Sequence, residues 1–346
     1  MYCRSYCRVK MNDNRAPASI RELLSLALVY IITFSGTTYV LSGVFFILAL
    51  LCPLFWPFLL FYPVWLWYDW DTPSKGGRPF KYCFVSRWRI FNIIRDYFPI
   101  TLVKTTELDS NKNYILGYHP HGMLPDGALV CFGSEAAGFG QLFPGLMSRV
   151  AMHSVFGWFP GFREFAMAAG MISVSRDSLE YVLTNEGPGQ CVVTLIGGSS
   201  EVLCTSPSCY QLVLNRRKGF VKLALKTGTS LVPVFAFGQN DMFHQPSSAL
   251  PSRLENKVNF SKWAQVFIKY SLLAFHDVET FGVMPRRKPI TVVVGAPIDV
   301  QKSDDPTPEQ INYLHSLYVQ ELKELFNKHK MEYSDPKDVH LILDEM

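Results

Sequence analysis

The chain contains none of the signatures of the common covalent hydrolases and zinc enzymes. There is no G-x-S-x-G elbow, no H-E-x-x-H pair and no C-x-x-C pair, and the nearest cysteine spacings are Cys3–Cys7 and Cys204–Cys209. No cysteine lies close in sequence to a histidine, so a thiol–imidazole nucleophile is not indicated. We interpret the eight cysteines as reduced thiols of a cytosol-facing protein. Neither a covalent enzyme intermediate nor a bound metal is expected.

A large net charge is also missing. The 33 basic and 29 acidic side chains leave a formal charge of +4, so nucleic acid is not an expected partner. A weak basic excess suits anionic lipid headgroups or a phosphorylated cofactor equally well. Hydrophobic residues make up 49% of the chain, with 26 Phe, 16 Tyr and 7 Trp, which is rich for a soluble enzyme.

Residues 23–68 contain no charged side chain. One membrane span needs about 20 apolar residues, so this run has room for two spans joined by a tight turn. Pro53, Pro57 and Pro63 indicate a kinked or re-entrant second half. Basic residues flank both sides of the run, which places both flanks in the cytosol. We therefore predict a cytosolic segment at residues 1–22, a membrane hairpin at 23–68 and a cytosol-facing domain at 69–346; a buried helix pair is the alternative.

Beyond residue 69 the pattern alternates between strand and helix signals. Apolar runs predict buried strands at residues 114–118, 190–196, 231–237 and 290–294. Capping boxes and a C-terminal glycine predict helices at residues 177–185, 219–226 and from 308 onward. One face of the last helix is predicted to be buried and carries Ile311, Leu314, Tyr318, Leu322 and Leu325. Strands separated by helices indicate an α/β domain, with a mostly buried sheet flanked by helices, after the membrane hairpin.

The segment NYILGYHPHGMLPDG, residues 113–127, carries the clearest chemistry. Catalytic groups of α/β sheets tend to lie outside the carboxyl ends of strands, and His119 and His121 directly follow the first of these predicted strands. The proline between them stiffens the backbone, and Gly122 lets a substrate approach the main chain closely. Four residues separate His121 from Asp126. A carboxylate bound to one imidazole nitrogen would fix the tautomer while the other nitrogen removes a proton.

These groups suit acyl transfer from an activated thioester to an alcohol. An alcohol is a poor nucleophile at neutral pH, so the reaction needs a general base, worth about 10²–10⁴ in rate, and oxyanion donors, each worth about 10²–10³. Two other interpretations stay open. The histidines could satisfy loop carbonyls as structural residues, or a His-x-His unit could bind a metal with one or two further ligands.

The same stretch is one of several that resemble the acyl-CoA:diacylglycerol acyltransferase type 2 family, which includes monoacylglycerol and wax-alcohol acyltransferases. The matching segments are, in order, DTPSKGGR (71–78), YFP (97–99), HPHG (119–122), FPG (143–145), VSRD (174–177), GGSSE (197–201), NRRKGFVKLAL (215–225) and LVPV (231–234). The resemblance extends from about residue 67 to about residue 329, together with the hydrophobic run before it. Each segment alone is a weak signal, but together and in this order they are highly specific.

The resemblance implies a glycerolipid-acyltransferase-like fold and catalysis by the HPHG segment, so His119 and His121 take that role, with His121 as our choice of general base. The family usually has no acidic residue where Asp126 stands, so Asp126 is either a relay or a bystander in the following helix. Glu201 is the carboxylate that we favour for orienting the base, because the family carries it and because strand ends converge on such a site.

Substrate contacts are expected at two places. Backbone N–H groups near Gly122, or near Gly197 and Gly198, are predicted to hold the oxyanion. The aromatic segment of Tyr97, Phe98 and Pro99 lies between the membrane run and the catalytic strand, and is predicted to contact the substrate. Lining an acyl channel, resting at the bilayer interface and forming core are three uses of this segment that stay open.

A basic segment supplies a docking surface for the thioester donor. Between Glu201 and Asp241 there is no acidic residue. The predicted contacts for the phosphates of coenzyme A, at a helix start, are Arg217, Lys218, Gly219 and Lys222. A solvated basic face or a contact with anionic lipid is the alternative.

The resemblance therefore implies synthesis of di- or triacylglycerol, with acyl-CoA as co-substrate and no permanently bound cofactor or metal. The alternatives are an acyltransferase that makes wax esters from long-chain alcohols and a non-catalytic lipid-binding protein of the same fold. Expected partners are acyl-CoA, mono- or diacylglycerol and the lipid bilayer, with no nucleic acid; a homo-oligomer is left open. The expected location is the endoplasmic reticulum membrane as a multi-pass protein, with lipid droplets as a second location.

Overall fold

The computed structural model describes residues 7–8, 48, 50–79, 84–153, 162–243, 285–334 and 339–344. The chain divides into two compact units. The larger comprises Met1–Pro17, Pro73–Phe243 and Arg287–Met346, and the smaller comprises Ala18–Thr72 and His244–Arg286. The histidines of the HPHG segment and the sheet described below belong to the larger unit.

Strands and helices alternate along most of the larger unit. The strands are β1 (Cys7–Arg8), β2 (Thr101–Lys104), β3 (Tyr114–His119), β4 (Met147–Met152), β5 (Ile172–Ser173), β6 (Gln190–Leu195), β7 (Tyr210–Leu212), β8 (Ser230–Phe237), β9 (Thr291–Val294) and β10 (Leu341–Leu343). The helices, with the one in the smaller unit first, are α1 (Trp56–Tyr68), α2 (Arg89–Tyr97), α3 (Asp126–Phe132), α4 (Phe139–Leu142), α5 (Phe162–Ala168), α6 (Arg176–Asn185), α7 (Ser199–Cys204), α8 (Gly219–Thr227) and α9 (Pro308–Tyr333).

The main sheet is mostly parallel. Its strand order is β1-β2-β9-β8-β3-β6-β4-β5, and β3 pairs in parallel with both β6 and β8. The antiparallel pairs are β1 with β2 and β8 with β9. A separate pair joins β7 and β10 in parallel. This architecture confirms the predicted α/β class with a buried sheet.

One edge of the sheet gathers strand ends that are far apart in sequence. β3 ends at His119, opposite Phe235 near the end of β8, and β6 ends beside β3. β9 runs the other way and starts at Thr291, opposite Phe237 at the end of β8. β2 is parallel to β9 and starts level with it. The carboxyl ends of β3, β6 and β8 therefore share an edge with the amino ends of β2 and β9.

Helices cover both faces of the sheet. α6, α8 and α9 pack over one face, where a single buried cluster includes Ile115, Val192 and Phe326. Because side chains alternate along a strand, His119 points to the same face as Ile115. The opposite face is covered by α3, whose Phe132 ring meets the Tyr118 ring edge-on at 6.4 Å. Helix α2 packs against α3.

Most of the predicted elements are confirmed. The four predicted strands are observed with ends displaced by no more than one residue. α8 ends before Gly228, which has the left-handed conformation that such an end requires (φ 69°). At the start of α9 the Thr307 hydroxyl accepts from the Gln310 N–H (3.3 Å) and the Gln310 side chain accepts from the Thr307 N–H (2.9 Å). The predicted face of α9 is buried, except that Ile311 is half-buried.

The prediction that Asp177 caps the start of α6 is wrong. The helix begins at Arg176, and the capping position is Ser175, whose side chain makes no capping hydrogen bond. Asp177 instead lies in the first turn, where a carboxylate complements the positive end of the helix dipole. Ser175 and Asp177 are two residues apart and are both of a type that serves a helix start, and the sequence pattern does not decide between them.

The predicted membrane hairpin falls mostly outside the described residues, which omit 23–47 and 49. Within the ranges that the structure covers, no helix is long and apolar enough to cross a bilayer. The described end of the run is a 3₁₀ turn, Pro53–Phe55, followed by α1, in which no residue is buried. Phe58, Phe61 and Trp67 are each more than 70% exposed. The hairpin stays a prediction.

Candidate active site

His119 is the last residue of β3, and its side chain is completely buried. Its Nε2 lies 3.0 Å from the hydroxyl of Tyr318 on α9. Its Nδ1 has no hydrogen-bond partner among the described residues and lies 4.0 Å from Oε1 of Glu201. Burial lowers the pKa of His119 to about 3, so the ring is neutral at physiological pH. Both ring nitrogens face protein groups.

His121 is half-buried and oriented differently. Its backbone N–H donates to Oε2 of Glu201 at 2.8 Å. Its Nδ1 lies 3.0 Å from the carbonyl oxygen of Gly122. A carbonyl only accepts, so Nδ1 carries the proton and Nε2 carries the lone pair. Burial holds the pKa of His121 below its usual value, against the opposing effect of the Gly122 bond, so Nε2 is available as a base at neutral pH.

Glu201 connects the two histidines. It lies in the first turn of α7 and is 2% exposed. Its carboxylate accepts from the backbone N–H of His121 and from that of Val213 at 3.0 Å. Burial raises the pKa of Glu201 to about 7, while the two N–H donors and the charge of Arg217 act in the opposite direction. The structure thus brings this carboxyl group to both histidines, through the ring of His119 and the backbone of His121.

The glycine pair before α7 makes room for this carboxyl group. A Cβ on Gly197 would overlap the carboxyl carbon of Glu201. Gly198 has φ 56° and ψ −147°, a conformation essentially restricted to glycine. The GGSSE segment is therefore a backbone turn into which the Glu201 side chain folds back.

Asp126 is placed differently from Glu201. It is buried as the first residue of α3. The hydrogen bonds of His121 run to Gly122 and Glu201, and Asp126 receives neither of them. The role of Asp126 as a relay stays a prediction.

Gln239, which was not among the residues predicted from the sequence, holds the HPHG loop and the residues after it by hydrogen bonds. Its Oε1 accepts from the Tyr118 hydroxyl (2.8 Å) and from the Gly127 N–H (3.1 Å), while its Nε2 donates to the Leu124 carbonyl (2.6 Å). A Cβ on Gly122, which has φ 67°, would meet this side chain at 2.8 Å. Gln239 comes two residues after the end of β8, so the rule that functional groups follow strand ends could have found it.

Among the four residues predicted to bind coenzyme A, Arg217 reaches farthest into the site. Its Nη2 lies 3.4 Å from the Gly197 carbonyl and 3.3 Å from the Ser200 hydroxyl. Lys218 donates to the Asn312 side chain of α9 at 2.7 Å. Gly219 begins α8, and Lys222 is exposed one turn along it. The four residues surround one helix start.

The C-terminal strand holds the loop that leads to this helix start. Oδ1 of Asp344 accepts from the backbone N–H of Leu214 (2.8 Å) and of Asn215 (2.9 Å), and the Asn215 side chain donates to the Asp344 carbonyl. His315 of α9 binds the Leu214 carbonyl at 3.1 Å. The basic segment is thereby fixed from two directions.

The segment Tyr97-Phe98-Pro99 lies at the same sheet edge as the histidines, between α2 and β2. The Phe98 carbonyl accepts from the Ile290 N–H (3.1 Å), and the Tyr97 carbonyl accepts from Nε of Arg287 (3.0 Å). Phe98 is fully buried and Tyr97 is half-buried. Three strand spacings separate β2 from β3, which corresponds to about 14 Å. The segment therefore lines the edge of the site at a distance from its base.

Two other features bear on ligand binding. In the part of the chain that the structure covers, no group of three or more His, Cys, Asp or Glu side chains could hold a metal ion. A cleft of about 420 Å³ lies at the opposite sheet edge, where Asn113 precedes β3 and Ser230 begins β8. Its charged groups pair with each other, as in the 3.1 Å contact between Lys112 and Asp299. The cleft is separate from the chemistry of the histidines.

The chain is similar in sequence to several known acyltransferases. Residues 48–344 match the family described as diacylglycerol acyltransferase. The 2-acylglycerol O-acyltransferase 1 of Mus musculus is 41% identical over 291 residues, which are 83% of this chain and 86% of that protein. Diacylglycerol O-acyltransferase 2 of Danio rerio is 40% identical over 295 residues, 83% of this chain and 80% of that protein. Acyl-CoA wax alcohol acyltransferase 2 of Homo sapiens is 36% identical over 294 residues, 83% of this chain and 87% of that protein.

A solved structure is also similar, at a lower level. The crystal structure of the 1-acyl-sn-glycerophosphate acyltransferase of Thermotoga maritima is 13% identical, and the match covers 88% of this chain and 97% of that one. The TM-score is 0.37, an overlap too slight to support a conclusion about this chain.

Proposed function

Because the chain belongs to the diacylglycerol acyltransferase family, we propose that it moves a fatty acyl group from acyl-CoA to the hydroxyl of mono- or diacylglycerol. Membership of the family makes it an acyl-CoA-dependent O-acyltransferase. The single observation that carries the chemistry is the bond from Nδ1 of His121 to the Gly122 carbonyl, which leaves Nε2 as a base.

The reaction needs one base and one oxyanion site. Nε2 of His121 takes the proton of the glyceride hydroxyl as its oxygen attacks the thioester carbonyl. Backbone N–H groups of Gly122, or of Gly197 and Gly198, hold the oxygen that becomes negative. The tetrahedral adduct collapses, the C–S bond breaks, and the coenzyme A thiolate takes the proton from the imidazolium. A covalent acyl-enzyme is not needed, because the thioester is already activated.

The donor docks at the start of α8. Arg217, Lys218 and Lys222 supply positive side chains, and Gly219 supplies a helix N-terminus that favours phosphate. The guanidinium of Arg217 lies next to the Gly197 carbonyl, so this docking surface adjoins the turn that holds Glu201. The acceptor lies toward Tyr97, along the sheet edge that the two segments share.

The proposed location is the endoplasmic reticulum membrane. The uncharged run of residues 23–68 would form the hairpin, and the basic flanks would keep the catalytic domain in the cytosol. A glyceride acceptor is itself lipid-soluble, so an enzyme anchored in this way meets it at the bilayer surface. Lipid droplets offer the same surface chemistry and are the second location.

The experiment is acyl transfer by membranes that contain the chain, given labelled oleoyl-CoA and a mixture of monoacylglycerol, diacylglycerol and hexadecanol. His121→Ala is expected to lose about 10²–10⁴ in rate, the usual contribution of a general base. His340→Ala is the matched control, since that histidine is exposed and lies outside the site.

The possible outcomes distinguish the acceptor, the catalytic base and the presence of activity. Label in a glyceride, lost in His121→Ala and kept in His340→Ala, supports the proposal. Label in a wax ester identifies the fatty alcohol as acceptor, with the same chemistry. Full activity in His121→Ala makes His119 the base. No transfer by well-expressed wild type contradicts the proposal and favours a lipid-binding protein.

A further inference from the structure

Tyr318 occupies the space beside Gly117 of β3, where a residue with a side chain would not fit. The side chain comes from α9 and is fully buried. Its hydroxyl donates to the Gly117 carbonyl at 3.1 Å and lies 3.0 Å from Nε2 of His119. A Cβ on Gly117 would overlap this hydroxyl. The middle of β3 therefore accommodates a phenol that contacts the catalytic motif.

The two contacts of the hydroxyl determine where the His119 proton lies. A phenol has one proton to donate, and it can accept one in return. The Gly117 carbonyl can only accept, so the phenol proton goes to it. The contact with His119 then requires Nε2 to be the donor. Consequently Nδ1 carries the lone pair, and Nδ1 is the atom without a hydrogen-bond partner among the described residues.

A buried lone pair without a partner requires an explanation. The groups that face the His119 ring are the Tyr318 hydroxyl at Nε2 and the Glu201 carboxyl group, 4.0 Å from Nδ1. Glu201 is influenced in turn by the charges of Arg217 and Asp344. Because catalytic hydrogen bonds are often long before substrate binds, a 4.0 Å separation is compatible with a contact that closes during the reaction.

We propose that Tyr318 is a positioning residue for acyl transfer: it keeps the His119 proton on Nε2, so that the bare Nδ1 faces Glu201. A protonated Glu201 then donates to Nδ1, and the proton is shared between the two groups. The same carboxyl group holds the backbone N–H of His121, the residue that bears the base. This inference rests on the proposed function, because it assigns a role within that reaction.

The ring of Tyr318 is itself held in place. It meets the Phe220 ring of α8 edge-on, with centroids 4.9 Å apart. Burial among such groups raises the pKa of the Tyr318 hydroxyl well above its usual value, so the hydroxyl keeps its proton at every pH of interest. Removal of the oxygen alone leaves these ring contacts intact, which makes Tyr318→Phe a selective change.

The first experiment compares Tyr318→Phe with Tyr313→Phe in the acyl-transfer assay. Tyr313 lies on the same helix but is 73% exposed, so it is the matched control. We expect Tyr318→Phe to lower kcat by tenfold or more, since small displacements in a site cost up to about 10² in rate. The KM values for both substrates should stay within about twofold, as should the amount of folded protein. Tyr313→Phe should behave as wild type.

The pH profile supplies a readout that a purely structural role would not change. Without the hydroxyl, the His119 proton is free to move to Nδ1 and donate to the Glu201 carboxylate. A donor stabilises the ionised carboxylate and so lowers its pKa. In the wild type burial raises the Glu201 pKa to about 7, within the range where kcat can be measured. The inflection of kcat against pH should therefore move to lower pH in Tyr318→Phe.

The outcomes separate this inference from the proposed function. Wild-type kcat and an unchanged pH profile in Tyr318→Phe overturn the inference alone. So does a loss of kcat that merely follows a loss of folded protein. Wild-type membranes that transfer no acyl group overturn the proposed function and this inference with it.

Gly117→Ala provides an independent test of the same contact. The added Cβ would overlap the hydroxyl and would also meet Cδ1 of Ile196 at 2.7 Å, so kcat per folded protein should fall with little change in KM. In the double variant the hydroxyl is already absent, so the two losses should combine to less than their product. Losses that multiply fully would show that the two residues act separately, and would contradict the inference.

Discussion

At the scale of single residues, burial decides which groups of the site are charged. His119 and Glu201 are each at least 98% buried and lie 4.0 Å apart. Burial disfavours the charged form of each, so it lowers the pKa of His119 to about 3 and raises that of Glu201 to about 7. The two groups are therefore both neutral between about pH 3 and pH 7, and do not form an ion pair there.

We expect Glu201→Gln to change how stability depends on pH. The Glu201 pKa rises from 4.5 to about 7 on folding, so the folded chain binds an extra proton between these values. Its free energy of unfolding falls as pH rises through that window, by on the order of 3 kcal/mol. Glutamine does not titrate, so the wild type should lose stability relative to the variant between about pH 5 and pH 8. Thermal unfolding in detergent across that range checks this, and parallel curves would contradict it.

Substitutions of Arg217 and Lys222 should change different kinetic constants. Arg217→Ala removes the guanidinium beside the Gly197 carbonyl, so we expect kcat to fall and the KM for acyl-CoA to rise. Lys222 is exposed, so Lys222→Ala should raise KM alone, by an amount that shrinks as salt screens the charge. Initial rates at low and high salt test both variants. Lys302→Ala, at an exposed cation outside the site, is the control; an equal rise in its KM would contradict a specific phosphate site.

At the scale of elements, local signals predicted the strands and helices better than the partners of their side chains. Continuous apolar runs located β3, β6, β8 and β9, because burial on both faces demands such runs. The spacing on α9 correctly placed Tyr318 in the core. It could not show that the hydroxyl contacts His119. The spacing of apolar residues shows which face of a helix is buried, but not which atoms that face contacts.

The shortest strands could not be predicted from the sequence. β7 and β10 have three residues each, too few for periodicity to be recognised. Their pairing brings Asp344 to the loop before α8, a contact between residues that are 130 and 129 positions apart. The basic segment could therefore be identified from the sequence, but the strand that holds it could not.

Asp344 should matter for donor binding although it has the wrong charge for a phosphate contact. Asp344→Ala leaves the N–H groups of Leu214 and Asn215 without their acceptor, so the basic loop should loosen. We expect the KM for acyl-CoA to rise severalfold, while Asp344→Asn, which keeps an acceptor oxygen, should largely restore it. Steady-state kinetics with varied acyl-CoA measure the effect. Equal KM values in all three proteins would show that the loop holds its shape without this contact.

At the scale of the whole molecule, the direction of β9 decides what meets at the site. β9 is antiparallel to β8, so β2 begins at the edge where β3 ends. If β9 were parallel to β8, the Tyr97 segment would lie at the far edge, away from His121. Strand direction depends on the connections of the chain, which residue patterns do not encode. The sequence therefore left open whether the Tyr97 segment lines an acyl channel, rests at the bilayer interface or forms core.

The topology of the chain in the membrane is testable at this same scale. If residues 23–68 form a hairpin, both flanks face the cytosol, and a glycosylation reporter inserted after Asp71 should stay unmodified. The same reporter behind a cleavable signal peptide is the positive control. Glycosylation of the inserted reporter would place the domain in the lumen and reject the proposed orientation.

The contact between His119 and Tyr318 also bears on when the enzyme becomes active during its own synthesis. The two residues are 199 positions apart, and β3 leaves the ribosome long before α9 does. Domains generally fold as units, so this one can be completed only after α9 has emerged. A nascent chain can already carry both histidines and Glu201, yet its His119 has no hydroxyl to hold it until the last long helix packs. If Tyr318 positions His119 as proposed, a chain that lacks α9 lacks this contact, and the full rate is reached only when the fold is complete.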